Sequence, residues 1–198
     1  MKHCWVFLLL LALPAGAFKL GPQSAREAAL YKTFVEGLYA QRDNSPEALV
    51  LFEKALSLAP DSAYLKRNIV ATAIMQNRLP EVEKYADFIT PEADEDDWTV
   101  RAAYLLKQQQ VSAAKEAYQK ALELSPEDAR IAYQYLLLLA YEGTPQAVEE
   151  MQNLAEKVPA LAPAVYVELG KHYWRMKDPQ QALTFYNKAT DLDPAYED

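Results

Sequence analysis

The chain has 198 residues, with 28 acidic against 20 basic side chains and a formal net charge of −8, a balance that argues against a phosphate backbone or an anionic lipid surface as the main partner. One cysteine, two histidines and five glycines in the whole chain exclude a disulfide framework and leave little from which to build a metal centre, a phosphate-cradling loop or a nucleophilic triad.

The first segment, MKHCWVFLLLLALPAGA, combines Lys2, an apolar run from Val6 to Leu13, and small residues Ala15 and Ala17 ahead of Phe18. That is the composition of a cleavable secretory signal over residues 1–17. The apolar run is far shorter than the roughly 20 residues a membrane-spanning helix needs, so no stable membrane anchor is expected. Cys4 precedes the run, where it is misplaced for lipid attachment. Cleavage before Phe18 removes the cysteine and leaves His172 as the one histidine, so the core of residues 18–198 has to come from helix packing.

From residue 24 onward the chain is punctuated by Pro60, Pro91, Pro126, Pro159 and Pro194, which stand 31, 35, 33 and 35 residues apart. A recurrence near 34 residues is the beat of a helical-repeat solenoid, and it predicts repeats over about 24–60, 62–91, 95–126, 128–159 and 162–194. Pro46, Pro80, Pro145 and Pro179 are each expected just ahead of a second helix, where the missing amide costs nothing and the fixed φ is already helical. No alternation long enough for a strand interrupts the pattern.

The first repeat carries Gly37 on its first helix and LFEKALSLAP on its second, with Ala48, Phe52 and Ala55 at helical spacing before Pro60. The second departs from that scheme, having Val82, Ala86 and Ile89 in the corresponding places. Between it and the third lies PEADEDD, ending at Asp97. This acidic run lacks the turn glycine and the closing glutamate of a calcium loop, and is expected to be a solvated loop beside a helix opening at Trp98. The third repeat presents Trp98, Ala102 and Leu105, then Ala114, Tyr118 and Ala121; the fourth has Ala147, Met151 and Leu154; the fifth has Tyr166, Leu169, Gly170 and Tyr173, then Ala182, Tyr186 and Ala189. Small residues at these steps let two helices approach closely while the aromatic fills the gap between them.

An aromatic, then Leu-Gly, then Tyr on one helix, followed by Ala, aromatic, Ala and Pro on the next, resembles the tetratricopeptide repeat, abbreviated TPR. The resemblance covers about residues 24–194 and is closest over 163–194. It implies an all-α TPR solenoid, a right-handed superhelix of about five helix-turn-helix units forming one domain over 18–198. It also implies a concave groove, lined by the first helices, that binds a protein or peptide. Counting back from the closing prolines places Tyr31, Phe34, Tyr64, Arg67, Lys107, Arg130, Tyr133, Tyr141, Lys171, Trp174 and Arg175 along that groove. Such an aromatic and locally basic lining suits an interaction surface. Tyr166 and Tyr173 coincide with the repeat's core positions and are assigned to packing. The lysine and asparagine clamp by which some TPR domains grip chaperone carboxylates is absent, since Phe34, Leu38, Arg67, Ala71, Thr99 and Ala103 occupy the relevant places.

His172 has no histidine partner and the carboxylates are those expected on amphipathic helices, so neither an enzymatic constellation nor a cofactor or metal site is expected. The resulting expectation is an exported adaptor, periplasmic or extracellular, that helps assemble an envelope or secretion complex. The alternatives are a binding module of a larger protein continuing past the AYED end, and a glycan-binding module using Trp and Tyr platforms. Leu183 and Tyr186, expected near an uncapped outer face of the last helix, add self-association as a further expectation.

Overall fold

A computed structural model describes residues 24–194 other than Val82 and Pro91. The expected signal with its cut at Ala15, Ala17 and Phe18, the AYED end, and the readings at Val82 and Pro91 lie outside those residues. The chain divides into two compact units, one up to Asp61 and one from Ser62 onward, and the described residues of both contain helices and no strand.

The first unit is a helical hairpin of α1 (Ala25–Arg42) and α2 (Glu47–Leu58). Ser24 caps α1 by accepting the Glu27 amide, and Pro46 stands immediately before α2. Ala48, Phe52 and Ala55 are completely buried. Gly37 explains how closely the two helices meet: a Cβ there would lie 2.7 Å from Phe52 Cε1. Arg26 Nε reaches across the hairpin to the Leu58 carbonyl at 3.0 Å, satisfying one of the acceptors that a helix end leaves open.

The second unit begins with α3 (Ala63–Gln76) and continues with α4 (Glu95–Lys107), α5 (Val111–Leu124), α6 (Ala129–Glu142), α7 (Pro145–Lys157), α8 (Ala162–Arg175) and α9 (Pro179–Leu192). The helix expected after Pro80 is not there. Two short 3-10 turns, Leu79–Glu81 and Glu83–Tyr85, stand in its place. Only ten residues separate Pro80 from Pro91, fewer than the helix of 13 or 14 residues that closes each later pair, and bulky side chains occupy the close-contact steps. The segment still closes the core, because Phe88 and Ala86 bury themselves against Val70 of α3 and Tyr104 of α4. Arg101 donates to the Ala86 carbonyl at 3.1 Å.

From α4 to α9 the apolar faces merge into one continuous core. Its fourth-repeat members keep register despite the missing aromatic, with Ala147 and Met151 fully buried and Leu154 nearly so, because an unbranched thioether fills an irregular gap readily. In the last pair Gly170 repeats the role of Gly37, since a Cβ there would fall 2.5 Å from Tyr186 Cε1. Tyr186 therefore packs inward over α8, the gap-filling place its step before Pro194 implied, rather than on the outer face of α9 with which it was also associated, where Leu183 stands exposed. Tyr173 stacks on Phe185 with centroids 5.3 Å apart, and Tyr166 does so at 6.1 Å, in keeping with their packing roles.

The closing prolines act alike. Helices α2, α5, α7 and α9 each end two residues before Pro60, Pro126, Pro159 and Pro194, and the intervening Ala59, Ser125, Val158 and Asp193 have left the helical region, with ψ between 72° and 93°. Clash with the proline ring forces that change. The first helices end differently, with Asn44, Asn77, Gln109, Gly143 and Lys177 in the left-handed region at φ 50° to 61°.

Candidate functional site: the cleft between α6 and α8

Among the described residues, the acidic run after Pro91 is part of the structural frame. Asp94 caps α4 by accepting the Asp97 amide, and Asp97 returns a bond to the Asp94 amide, forming a reciprocal capping box. The helix thus opens at Glu95, one turn earlier than expected, so that the later half of the run belongs to its first turn, while Glu92, Asp94 and Asp96 stay exposed to solvent as expected. Arg67 of α3 donates to Asp94 at 2.7 Å and approaches Asp97 at 3.1 Å, with its side chain only 12% exposed. Arg130 at the start of α6 pairs with Asp96 at 2.7 Å and Asp128 at 3.3 Å. Two cations expected to face a ligand are therefore engaged by α4 and by the cap of α6.

The carboxyls respond oppositely to this arrangement. Partial burial raises the Asp94 carboxyl's pKa, but the amide bond from Asp97 and the Arg67 guanidinium outweigh it and hold the group below its ordinary range. Asp97 is more enclosed, and burial pushes it above that range despite the same guanidinium. Arg67 also lies 4.7 Å over the ring of Tyr64, so this tyrosine forms part of the same cluster.

Further along the second unit, α6 and α8 enclose a cleft of about 480 Å³. Leu137, Ala140 and Tyr141 line it from α6; Glu168, Lys171, Trp174 and Arg175 line it from α8; Tyr186 reaches it from α9. Four of the groove residues expected from sequence, Tyr141, Lys171, Trp174 and Arg175, meet here. Trp174 is 65% exposed, Tyr141 79% and Leu137 46%, so substantial apolar surface faces outward beside charge. Arg175 donates to the Ala140 carbonyl at 3.3 Å and Lys171 to Glu168 at 3.1 Å. His172, next in line on α8, sits edge-on to Tyr173, and burial, followed by the nearby Arg175 charge, lowers its pKa; it does not line the cleft.

The remaining expected residues disperse. Tyr133 on α6 is half-exposed outside this cleft, and Lys107 at the end of α4 is exposed. In the first unit Tyr31 is exposed, while Phe34 is half-buried with its ring 6.1 Å from that of Phe52.

A second polar cluster between α5, α6 and α7 escaped the sequence reading. Lys115 bridges Glu150 at 2.7 Å and Glu142 at 3.3 Å. The Tyr135 hydroxyl donates to Glu150 and accepts from Gln119 at 3.0 Å. It borders a depression of about 530 Å³ that Leu122 and Leu154 also line. The lysine and its glutamates are separated by about a repeat of sequence, and no local spacing announces their contact. Among the described residues no group of three or more histidine, cysteine or carboxylate side chains is arranged to hold a metal, and no helix is long and apolar enough to cross a membrane.

Comparison with known proteins places these features in context. Tetratricopeptide-repeat family models match residues 98–128 and 163–196. Human tetratricopeptide repeat protein 21A is 23% identical over 84% of this chain, and the chain spans only 13% of that relative's length. Among solved structures, YrrB, described as a TPR protein with an unusual peptide-binding site, superposes with a TM-score of 0.64 at 20% identity, covering 87% of this chain and 94% of its own. MamA from Desulfovibrio magneticus RS-1 gives 0.67 at 19% identity, covering 86% and 98%. Pseudomonas aeruginosa pilF gives 0.64 at 20% identity, covering 85% and 78%.

Proposed function

This chain is a tetratricopeptide-repeat protein, and from that premise we propose that it is an exported, non-enzymatic adaptor that binds a protein or peptide in the α6/α8 cleft while an envelope or secretion complex is assembled. The observation that carries the reading is the convergence of Trp174, Tyr141, Lys171 and Arg175 on one open cleft between two first helices. Flat aromatic surface supplies contact area at small entropic cost, and arginine adds a fork of donors. The peptide-binding site named for YrrB, whose fold this chain shares, supports the same use of a repeat surface. Export rests on the charged, apolar and small-residue sequence of positions 1–17.

Two measurements test the proposal. Crosslinked capture from the native envelope fraction, using the full chain beside a Tyr141→Ala, Trp174→Ala double variant of unchanged circular dichroism, should enrich a defined protein with the wild type and lose it with the variant. Identical profiles from both baits remove the cleft from consideration. Mass spectrometry of the protein recovered from its own cell should find Phe18 as the first residue; an intact Met1 in the recovered material refutes export by cleavage.

A further inference from the structure

We propose that the α6/α8 cleft selects a segment of a protein partner in which an aromatic or aliphatic side chain stands beside a carboxylate. The inference rests on the adaptor reading and specifies its ligand.

The apolar half of the argument is the exposure of Trp174, Tyr141 and Leu137 around one cleft. Aromatic surface of this kind is stabilised by covering it with another apolar side chain. The polar half is charge. Lys171 and Arg175 are four residues apart on α8, so they share a helix face, and Trp174 stands three residues from Lys171 on the same side. Around the cleft these two cations stand against a single carboxylate, Glu168, in a chain whose net charge is −8. Two other expected cations on the first helices of this unit are already held, Arg67 by Asp94 and Asp97 and Arg130 by Asp96 and Asp128, while Lys107 stands at the end of α4 outside this cleft. Positive charge next to exposed aromatic surface is thus concentrated at this cleft.

The geometry also prepares Arg175 for a carboxylate. Its bond to the Ala140 carbonyl uses one of the five N–H donors of a guanidinium, fixing the group while leaving donors for a forked interaction. Lys171, which donates to Glu168 at 3.1 Å, adds a second positive charge one helical turn away on the same face. Positioning before binding reduces the ordering cost that otherwise offsets new contacts. A cationic segment meets two like charges at the same place and is disfavoured.

The test is selection from a randomised peptide library displayed on phage, with the full chain as bait, followed by fluorescence anisotropy of the winning peptides. The expected result is enrichment of Asp or Glu beside Phe, Trp, Leu or Ile. Those peptides should bind a Lys171→Glu, Arg175→Glu variant at least about tenfold more weakly, as close opposite charges across an interface warrant. Lys171→Gln with Arg175→Gln serves the same purpose should charge reversal disturb the fold, and circular dichroism checks each variant. Selection of neutral or basic peptides whose binding still requires Trp174 overturns the acidic-ligand proposal while leaving the adaptor reading intact. Binders indifferent to Trp174→Ala, or no binder above background, overturn both.

Discussion

At the scale of single residues, two glycines and their aromatic partners set the helix spacing. Phe52 over Gly37 and Tyr186 over Gly170 leave no room for a methyl group. Gly170→Ala is expected to cost about 1–3 kcal/mol through overpacking, read as a lower melting temperature; an unchanged value means Tyr186 does not hold its place. These pairs were legible in the sequence, because each aromatic lies eight residues before its closing proline and each glycine stands on the helix before it, with one residue fewer between the two in the first repeat. The Lys115–Glu150 pair was not. Burial works against ionised Glu150, yet the Lys115 and Tyr135 bonds outweigh it and lower its pKa, while the same carboxylates raise Lys115 against its own burial. The depressed carboxyl contributes stability that is complete above its unfolded value of about 4.3 and is lost as pH falls through its lower folded value. The raised ammonium contributes below about 10.4 and loses its share as pH rises through the folded value. Lys115→Met should therefore cost about 1–3 kcal/mol at pH 7, where two enclosed carboxylates lose their cation. The cost should shrink near pH 3, and equal losses at both pH values would contradict the assignment.

At the scale of elements, the ends of the helices divide into two kinds. Second helices stop because a proline follows, a feature visible in the sequence. First helices stop by a left-handed residue, which Asn44, Asn77 and Gly143 tolerate well and Gln109 and Lys177 tolerate less. Replacing Gln109 or Lys177 by glycine removes that local strain. Each substitution is expected to stabilise by up to about 1 kcal/mol after the greater freedom of the unfolded chain is subtracted, measurable as a raised denaturation midpoint. The pair of 3-10 turns after α3 should be the weak element of its unit. Amides of residues 83–90 are expected to exchange with deuterium faster than those of α5 or α7, because few backbone bonds protect them. Comparable protection would show a regular helix in solution.

At the scale of the whole molecule, the core running without a break from α4 to α9 couples the later repeats through nearest-neighbour contacts. Ala121, completely buried in α5, has no space to grow. Ala121→Trp is expected to cost about 1–3 kcal/mol and to speed amide exchange in α6 as well as in α5; exchange confined to α5 would deny the coupling. The sequence by itself determined the all-helical class, the proline punctuation and the alanine and glycine steps at which helices touch, because each follows from residues within one or two turns of each other. It also named the four side chains that meet in the α6/α8 cleft, since equivalent positions recur at the repeat interval. Tertiary structure alone decided that Arg67 and Arg130 are committed to the aspartates around α4 and that Lys115, Tyr135 and Glu150 join in one polar cluster. Those outcomes depend on partners tens of residues away and on competition for limited space, which a local pattern of apolar, small and charged residues does not encode.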